Sequence, residues 1–454
     1  MNKNTKELDI FERMPIGKAV RTLAIPTVIS QLIMLIYNLA DTFFLGQTGD
    51  TRQVAAVTLA FPIFMMVGAI ANLFGIGGGS LVSRLLGQKR VEEAGCVSTF
   101  VLWAGGITSI LVGVVIALLL PNLLEALGAN EETYQFATDY IMYTVILGGF
   151  PSVLNQILAN LTRSKGDAKT ASIGVCMGAI INIVLDPILI LGFHMNVAGA
   201  AIATCLSNAF AAIYYFIYFY KTRNHSLFAT HFFAPLPSRN LMIQIFSIGT
   251  PAALTVLLAS VSNSLLMSVM SGSRASAIAG FGIAQRIETI PFYIVQGISS
   301  GVLPLLAYNY ASGNYHRMNL SIKTALNVGL FITITLFILI EVCAPVLVHC
   351  FISDVDTITF GSAFTRLRCL ALPFITIEFM YIAVFQGIGS AKQALVLSFF
   401  RKGILDLPIL FLMNMLLPLY GLMLVEPIME SMGAGIAMIM YRKKHQELIL
   451  ISNR

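Results

Sequence analysis

The stretch IPTVISQLIMLIYNLADTFFLG, residues 25–46, decides the fold class. It is a nearly unbroken apolar run, and a membrane-spanning helix needs about 20 such residues. Two residues in it stand out: Pro26 at its start and one carboxylate, Asp41, near its end. A charged side chain at bilayer depth costs roughly 2.5–3.5 kcal/mol on insertion scales. Asn, Ser or Ala at that position would avoid the cost. Two readings of Asp41 are open. In one it takes up and releases a cation, usually a proton, and Pro26 lets the helix bend in response. In the other it caps the helix end at the water interface.

The rest of the chain is of the same kind. Its 454 residues are 57% hydrophobic and only 11% charged, with a mean hydropathy of +0.82. Soluble domains carry about 25% charged residues. This composition therefore predicts an all-α integral membrane protein and excludes a soluble enzyme. A net charge of +6, scattered over many loops, excludes nucleic acid as a partner. Residues 1–18 mix both charge signs and hold no apolar core, so no cleavable signal peptide is expected. The six cysteines form no CxxC pair and have no His at metal-ligand spacing. They are read as small packing residues, with no resident metal or cofactor. No Ser/His/Asp or Cys/His arrangement points to an enzyme.

About twelve apolar segments have membrane-spanning length, the fourth near 133–160, the fifth near 168–191, the tenth near 358–388 and the eleventh near 392–417. Lys and Arg concentrate on alternate connections. Arg84, Lys89 and Arg90 lie on the second, Arg163, Lys165 and Lys169 on the fourth, and Lys221, Arg223 and Arg239 on the sixth. Lys and Arg stay on the cytoplasmic side. The pattern therefore predicts a multi-pass protein of the cytoplasmic membrane with both termini inside. Arg366 and Arg368 depart from it and put the start of the tenth span in question.

The longest polar break, 221–240, splits the chain almost in half, and the halves resemble one another. AIPTV (24–28) recurs as GTPAA (249–253), and GDAK (166–169) recurs as GSAK (389–392). The expected organisation is a first lobe at 1–220, a cytoplasmic linker at 221–240 and a second lobe at 241–454. Parallel repeats of this kind enclose a cavity suited to alternating access. GIGGGS (75–80) lacks the lysine of a phosphate loop and sits in an apolar run, so it reads as a close-packing or hinge element.

Polar residues inside spans face the bundle interior or a wet cavity. The first half offers Tyr37, Asn38 and Asp41, then Tyr140, Asn155, Asn182, Asp186 and Thr204. Asn182 and Asp186, four apart, share one helix face. Two carboxylates close together in a low-dielectric bundle cannot both ionise cheaply, so the pair suits binding and exchange of a proton or small cation. The bland alternative for Asp186 is that, before Pro187, it ends its helix. In the second half, Asp406 follows Lys402 by four residues, which suits a salt bridge. Glu378 occupies the repeat position of Asn155 and would attract cationic substrates or share in coupling.

The first-span segment above, NLFGIGGGSLVSRLLGQKR (72–90), GDAK with NIVLDPILILGF (182–193) and NVAGAAIATCLSN (196–208), PLLAYNYASGN (304–314) and PIME (427–430) together resemble the multidrug and toxic compound extrusion (MATE) family, in its MepA-like branch. The resemblance covers the full length. It implies two six-helix lobes forming a V and a monomeric secondary active transporter. The implied activity is export of drug-like, often cationic, compounds against an inward cation flux, conferring antibiotic resistance. The implied cation site falls on Asp41, Asn182, Asp186 and Thr204, and the hinge on Pro26. Tyr37, Tyr140, Asn155, Asn263 and Glu378 are assigned to the substrate pocket. The family branch with a sodium site in its second lobe uses a carboxylate on the seventh span, and residues 241–270 contain none. Coupling is therefore expected in the first lobe, with protons preferred over sodium. The competing expectation is a lipid-linked oligosaccharide flippase of the same superfamily.

Overall fold

The computed structural model describes residues 3–222, 234–402 and 406–452, and every regular element among them is a helix. In order these are α1 (Lys3–Glu12), α2 (Ile16–Gly46), α3 (Thr51–Gly87), α4 (Val91–Ala126), α5 (Glu131–Ile141), α6 (Gly149–Ser164), α7 (Ala168–Asp186) and α8 (Asn196–Thr222). Then follow α9 (Arg239–Met270), α10 (Ala275–Ala311), α11 (Tyr315–His349), α12 (Val355–Cys369), α13 (Leu372–Gly387), α14 (Ala391–Lys402), α15 (Asp406–Leu416) and α16 (Tyr420–Ser452). Most of the expected linker, and the side chains of Arg401 and Lys402, lie outside the described residues.

Among the described residues nine helices are long and apolar enough to cross a membrane, and up to eleven spans result if the bent pairs α5–α6 and α12–α13 each count as one. The remaining expected span, 392–417, falls on α14 and α15, which flank undescribed residues. Large apolar side chains stand outward, including Leu118, Phe331 and Val342. In water such a surface would drive aggregation; in lipid it is the ordinary surface of a multi-pass protein.

Three discontinuities interrupt the helices. A π-helical turn at Met142–Ile146 joins α5 to α6 across a bend of 42°. A second one, Pro187–Gly192, continues α7 beyond Asp186. Pro187 has no N–H to give the preceding turn, so the hydrogen-bond ladder must shift register. Single π-helical turns inside α-helices are frequent at functional sites. The third is the 41° bend between α12 and α13.

The chain divides into two compact units, Met1–Met14 with Ile29–Leu257, and Pro15–Val28 with Leu258–Arg454. The boundaries run through α2 just after Pro26 and through α9 a few residues after Pro251. In the first unit α3 is the centre, packed by α4, α5 and α6, while α7 pairs with α8. The GIGGGS cluster makes this possible. Side chains of Asn160 (α6) and Val101 (α4) fill the space where β-carbons of Gly75 and Gly78 would stand. A β-carbon on Gly77 would overlap the carbonyl of Ile245, and one on Gly249 would overlap the carbonyl of Leu73. The start of α9 thus lies backbone to backbone on α3, as the packing reading of this cluster expects.

In the second unit α10 is the centre, packed by α11, α12 and α13, with α16 against α13 and α15. Here Gly297 and Gly301 admit the start of α2, at Val28 and at Leu23 and Ala24. Ile287, Val295, Ile340, Val348 and Leu372 form one apolar core of this unit.

Arg52, Arg366 and Arg368 each have a carboxylate partner. Arg52 pairs at 2.8 Å with Asp50, the N-cap of α3, and holds that carboxyl down at about 2. Arg366 pairs at 3.8 Å with Glu341. Arg368 is 5% exposed and bound to Glu288 and Glu426. Both are thus paired with carboxylates, Arg368 in the interior and Arg366 at the exposed surface. The tenth span begins at α12, slightly before the expected 358.

Candidate ion-coupling site

The expected first-half residues meet in the first unit. Asp186 ends the α-helical part of α7 with 0% exposure, and Asn182, 1% exposed, stands one turn before it. With its amide oriented to satisfy both neighbours, the Asn182 nitrogen donates to Asp186 Oδ2 at 3.0 Å. Its oxygen then accepts from the backbone N–H of Thr204 on α8 at 3.2 Å. The Thr204 hydroxyl lies 3.4 Å from the same amide. The helix-ending alternative for Asp186 holds only in part, since the backbone runs on as the π-helical turn.

Asp41, on α2, is half-buried and within Coulombic range of Asp186. The Oδ1 atoms of both aspartates are buried and have no hydrogen-bond partner among the described residues. A buried acceptor without a partner costs about 1–3 kcal/mol, more when charged. Two such oxygens in one helix bundle are not explained by stability. They suit a site that gains and loses a proton or small cation.

Tyr140 (α5), 7% exposed, is within Coulombic range of Asp41 and Tyr37, and its ring meets Phe64 (α3) edge-on with centroids 6.4 Å apart. Asn155 (α6) donates to Asn208 Oδ1 at 2.8 Å, and Asn208 donates to the carbonyl of Thr204 at 2.9 Å. One polar network therefore joins α6, α7 and α8, with Asp41 of α2 beside it. Asn208 escaped the sequence reading, although it lies four residues after Thr204 and so on the same helix face.

The other two pocket residues lie in the second unit. Asn263 accepts from Gln285 at 2.8 Å. Glu378 is 0% exposed, with its carboxylate packed against Gly433 of α16. Asp406 accepts from Ser262, and its expected partner Lys402 has a side chain outside the described residues. Among the described residues no group of three or more His, Cys, Asp and Glu is placed to hold a metal.

Asn182→Ala removes a hydrogen bond to a buried carboxylate, an interaction of about 1.5–3 kcal/mol when the acceptor is charged. It is expected to lower transport on the order of ten-fold while Asp41 and Asp186 remain, read as a changed ion dependence at unchanged expression.

A bundle of repeated, membrane-length helices, with two carboxylates in its first unit whose Oδ1 atoms are buried and unpartnered among the described residues, fits a membrane transporter. The MatE family profile matches the chain twice, at residues 26–188 and 251–412, and the chain belongs to this family. The two matches pair the halves that AIPTV and GTPAA had paired. Multidrug export protein MepA of Staphylococcus aureus (strain MRSA252) is 31% identical over 436 residues, covering 96% of this chain and 95% of that protein. A crystal structure of a MATE in the bent conformation matches with a TM-score of 0.88 and 26% identity, covering 99% of this chain and 100% of the other. One in the straight conformation matches with a TM-score of 0.89 and 27% identity, covering 98% and 99%.

Proposed function

We propose that the chain is a proton-coupled multidrug exporter of the cytoplasmic membrane, working by alternating access as a secondary active transporter. It would act as a monomer with both termini in the cytoplasm. Its first lobe (1–220) would carry the coupling site, joined by a linker (221–240) to the second lobe (241–454). The name of the MepA relatives supports drug-like substrates. One observation carries the choice of ion. The Asn182 amide satisfies both Asp186 and the Thr204 backbone N–H only with its nitrogen turned toward Asp186. An N–H cannot ligate a cation, whereas it holds a carboxylate ready to be protonated on its other oxygen. Sodium at Asp41, Asn182, Asp186 and Thr204 would require that amide to turn.

In this mechanism a proton from outside neutralises Asp41 or Asp186 and removes the repulsion between them. The Asn182–Thr204–Asn208–Asn155 network then rearranges among α6, α7 and α8. Pro26 gives α2 its weak point, since it supplies no N–H to the carbonyl one turn back. Bending there would carry the change from Asp41 to the substrate path lined by Tyr37, Tyr140 and Asn155. Asn263 and Glu378 would serve the substrate from the second lobe.

A flippase of lipid-linked oligosaccharides needs free cations for pyrophosphate. Arg366 and Arg368 already face carboxylates, which favours export. The test is dye efflux from vesicles holding the purified protein under an imposed proton or sodium gradient. A proton gradient alone is expected to drive efflux. Efflux driven by sodium and not by protons would overturn the ion assignment.

A further inference from the structure

A second buried ionic group lies in the second unit, apart from the site above. Arg368, at the end of α12, donates through Nε to Glu288 Oε2 of α10 at 2.6 Å and through its terminal nitrogen to Glu426 of α16. The three side chains are 5%, 7% and 15% exposed, and the ring of Phe281 stacks 5.3 Å from the guanidinium carbon. Two carboxylates thus share one guanidinium among three helices inside the bundle. Apolar side chains of similar volume are often as stable as such a group or more so, which makes stability a weak reason for it.

Its placement suggests what does. Arg368 stands at the 41° break between α12 and α13, Glu426 immediately precedes Pro427 in α16, and Glu288 lies one turn before Pro291 in α10. The group ties together three helices at the points where each is weakest. Other charged and titratable groups nearby are accounted for. Arg366 is engaged by Glu341 of α11, Cys369 is buried beside Arg368, Arg286 of α10 is exposed, and Glu430 of α16 is buried one turn beyond Glu426. Glu378 of α13 packs against Gly433.

We infer that Glu288, Arg368 and Glu426 form a second proton-binding site, with Glu426, the more exposed acid, as the group that takes up the proton. Proton uptake converts the Glu426 carboxylate to the acid and frees it from Arg368. Arg368 keeps its bond to Glu288 as a neutral pair, and α16 is released from α12 at Pro427. The inference extends the proton-coupled reading, but its test reads proton binding and not transport.

The full chain carrying Asp41→Asn and Asp186→Asn, which silences the first site, is purified in detergent and acidified. Proton uptake is followed with an indicator dye, and the protonated-carboxyl band by infrared difference spectroscopy. Uptake and band are expected to persist, and to be lost when Glu426→Gln is added. Glu288→Gln is expected to abolish them too, because each substitution leaves a one-to-one ion pair with Arg368. Unchanged uptake in both variants would overturn the inference, and so would loss of folded protein in both, which marks a purely structural cluster. Vesicles in which the wild type moves no drug under any gradient would sink the exporter reading and leave this binding result standing.

Discussion

Asp41→Asn is expected to abolish export-dependent drug resistance while leaving membrane insertion normal. The substitution keeps size and shape but removes the group that titrates, so the bundle still packs. The Oδ1 of Asp41 has no hydrogen-bond partner among the described residues, so no contact at that oxygen is lost with the charge. The repulsion with Asp186, which in this account the incoming proton relieves, disappears for good. The loss should reach on the order of a hundred-fold, the size of a coupling free energy of about 3 kcal/mol. Resistance and membrane abundance measured side by side check it. Wild-type resistance in the variant would sink the mechanism.

The second large effect concerns folding. Gly249→Val should remove most folded protein, because the new side chain would enter the backbone of Leu73, where α9 lies on α3. Backbone cannot rotate aside as a side chain can, so the two helices must part. Overpacking costs about 1–3 kcal/mol, occasionally more, and here it also strips contacts from the GIGGGS face. Gly435→Ala is the control, since nothing lies within 4 Å of its missing β-carbon. Thermal unfolding of the purified proteins should show a lower midpoint for the first variant and little change for the second.

Much of this was legible in the sequence because it is written locally. Membrane-length apolar runs announce helices, since a lipid-exposed backbone must satisfy itself within its own segment. The repeat of AIPTV as GTPAA, and of GDAK as GSAK, pointed to the two halves that the family profile matches separately. Asn182 and Asp186 could be paired because four residues bring side chains onto one helix face. The glycine cluster could be read as a packing surface because no other residue lets backbones approach so closely.

What stayed hidden depends on pairing across long separations. Arg366 and Arg368 looked like misplaced loop charges, since the partners of Arg368 lie 80 and 58 residues away in the chain. No periodicity reports such a group. The π-helical turns were equally invisible. Pro187 announces a break but not whether the backbone stops or shifts register, and the turn at Met142–Ile146 contains no proline at all. Pro26 and Pro251 lie near the points where the spatial units divide α2 and α9, but the close approaches at Gly249, Gly297 and Gly301 carry no local signal.

Whether proton binding at Asp41 and Asp186 drives export is decided by following protons while substrate moves. Vesicles containing the purified protein and a pH-sensitive dye are loaded with drug and diluted into drug-free buffer without sodium. The account predicts that drug leaving the vesicles draws protons in, and that Asp41→Asn stops both flows together. Drug exit with no proton movement, or proton movement that persists unchanged in Asp41→Asn, would contradict it.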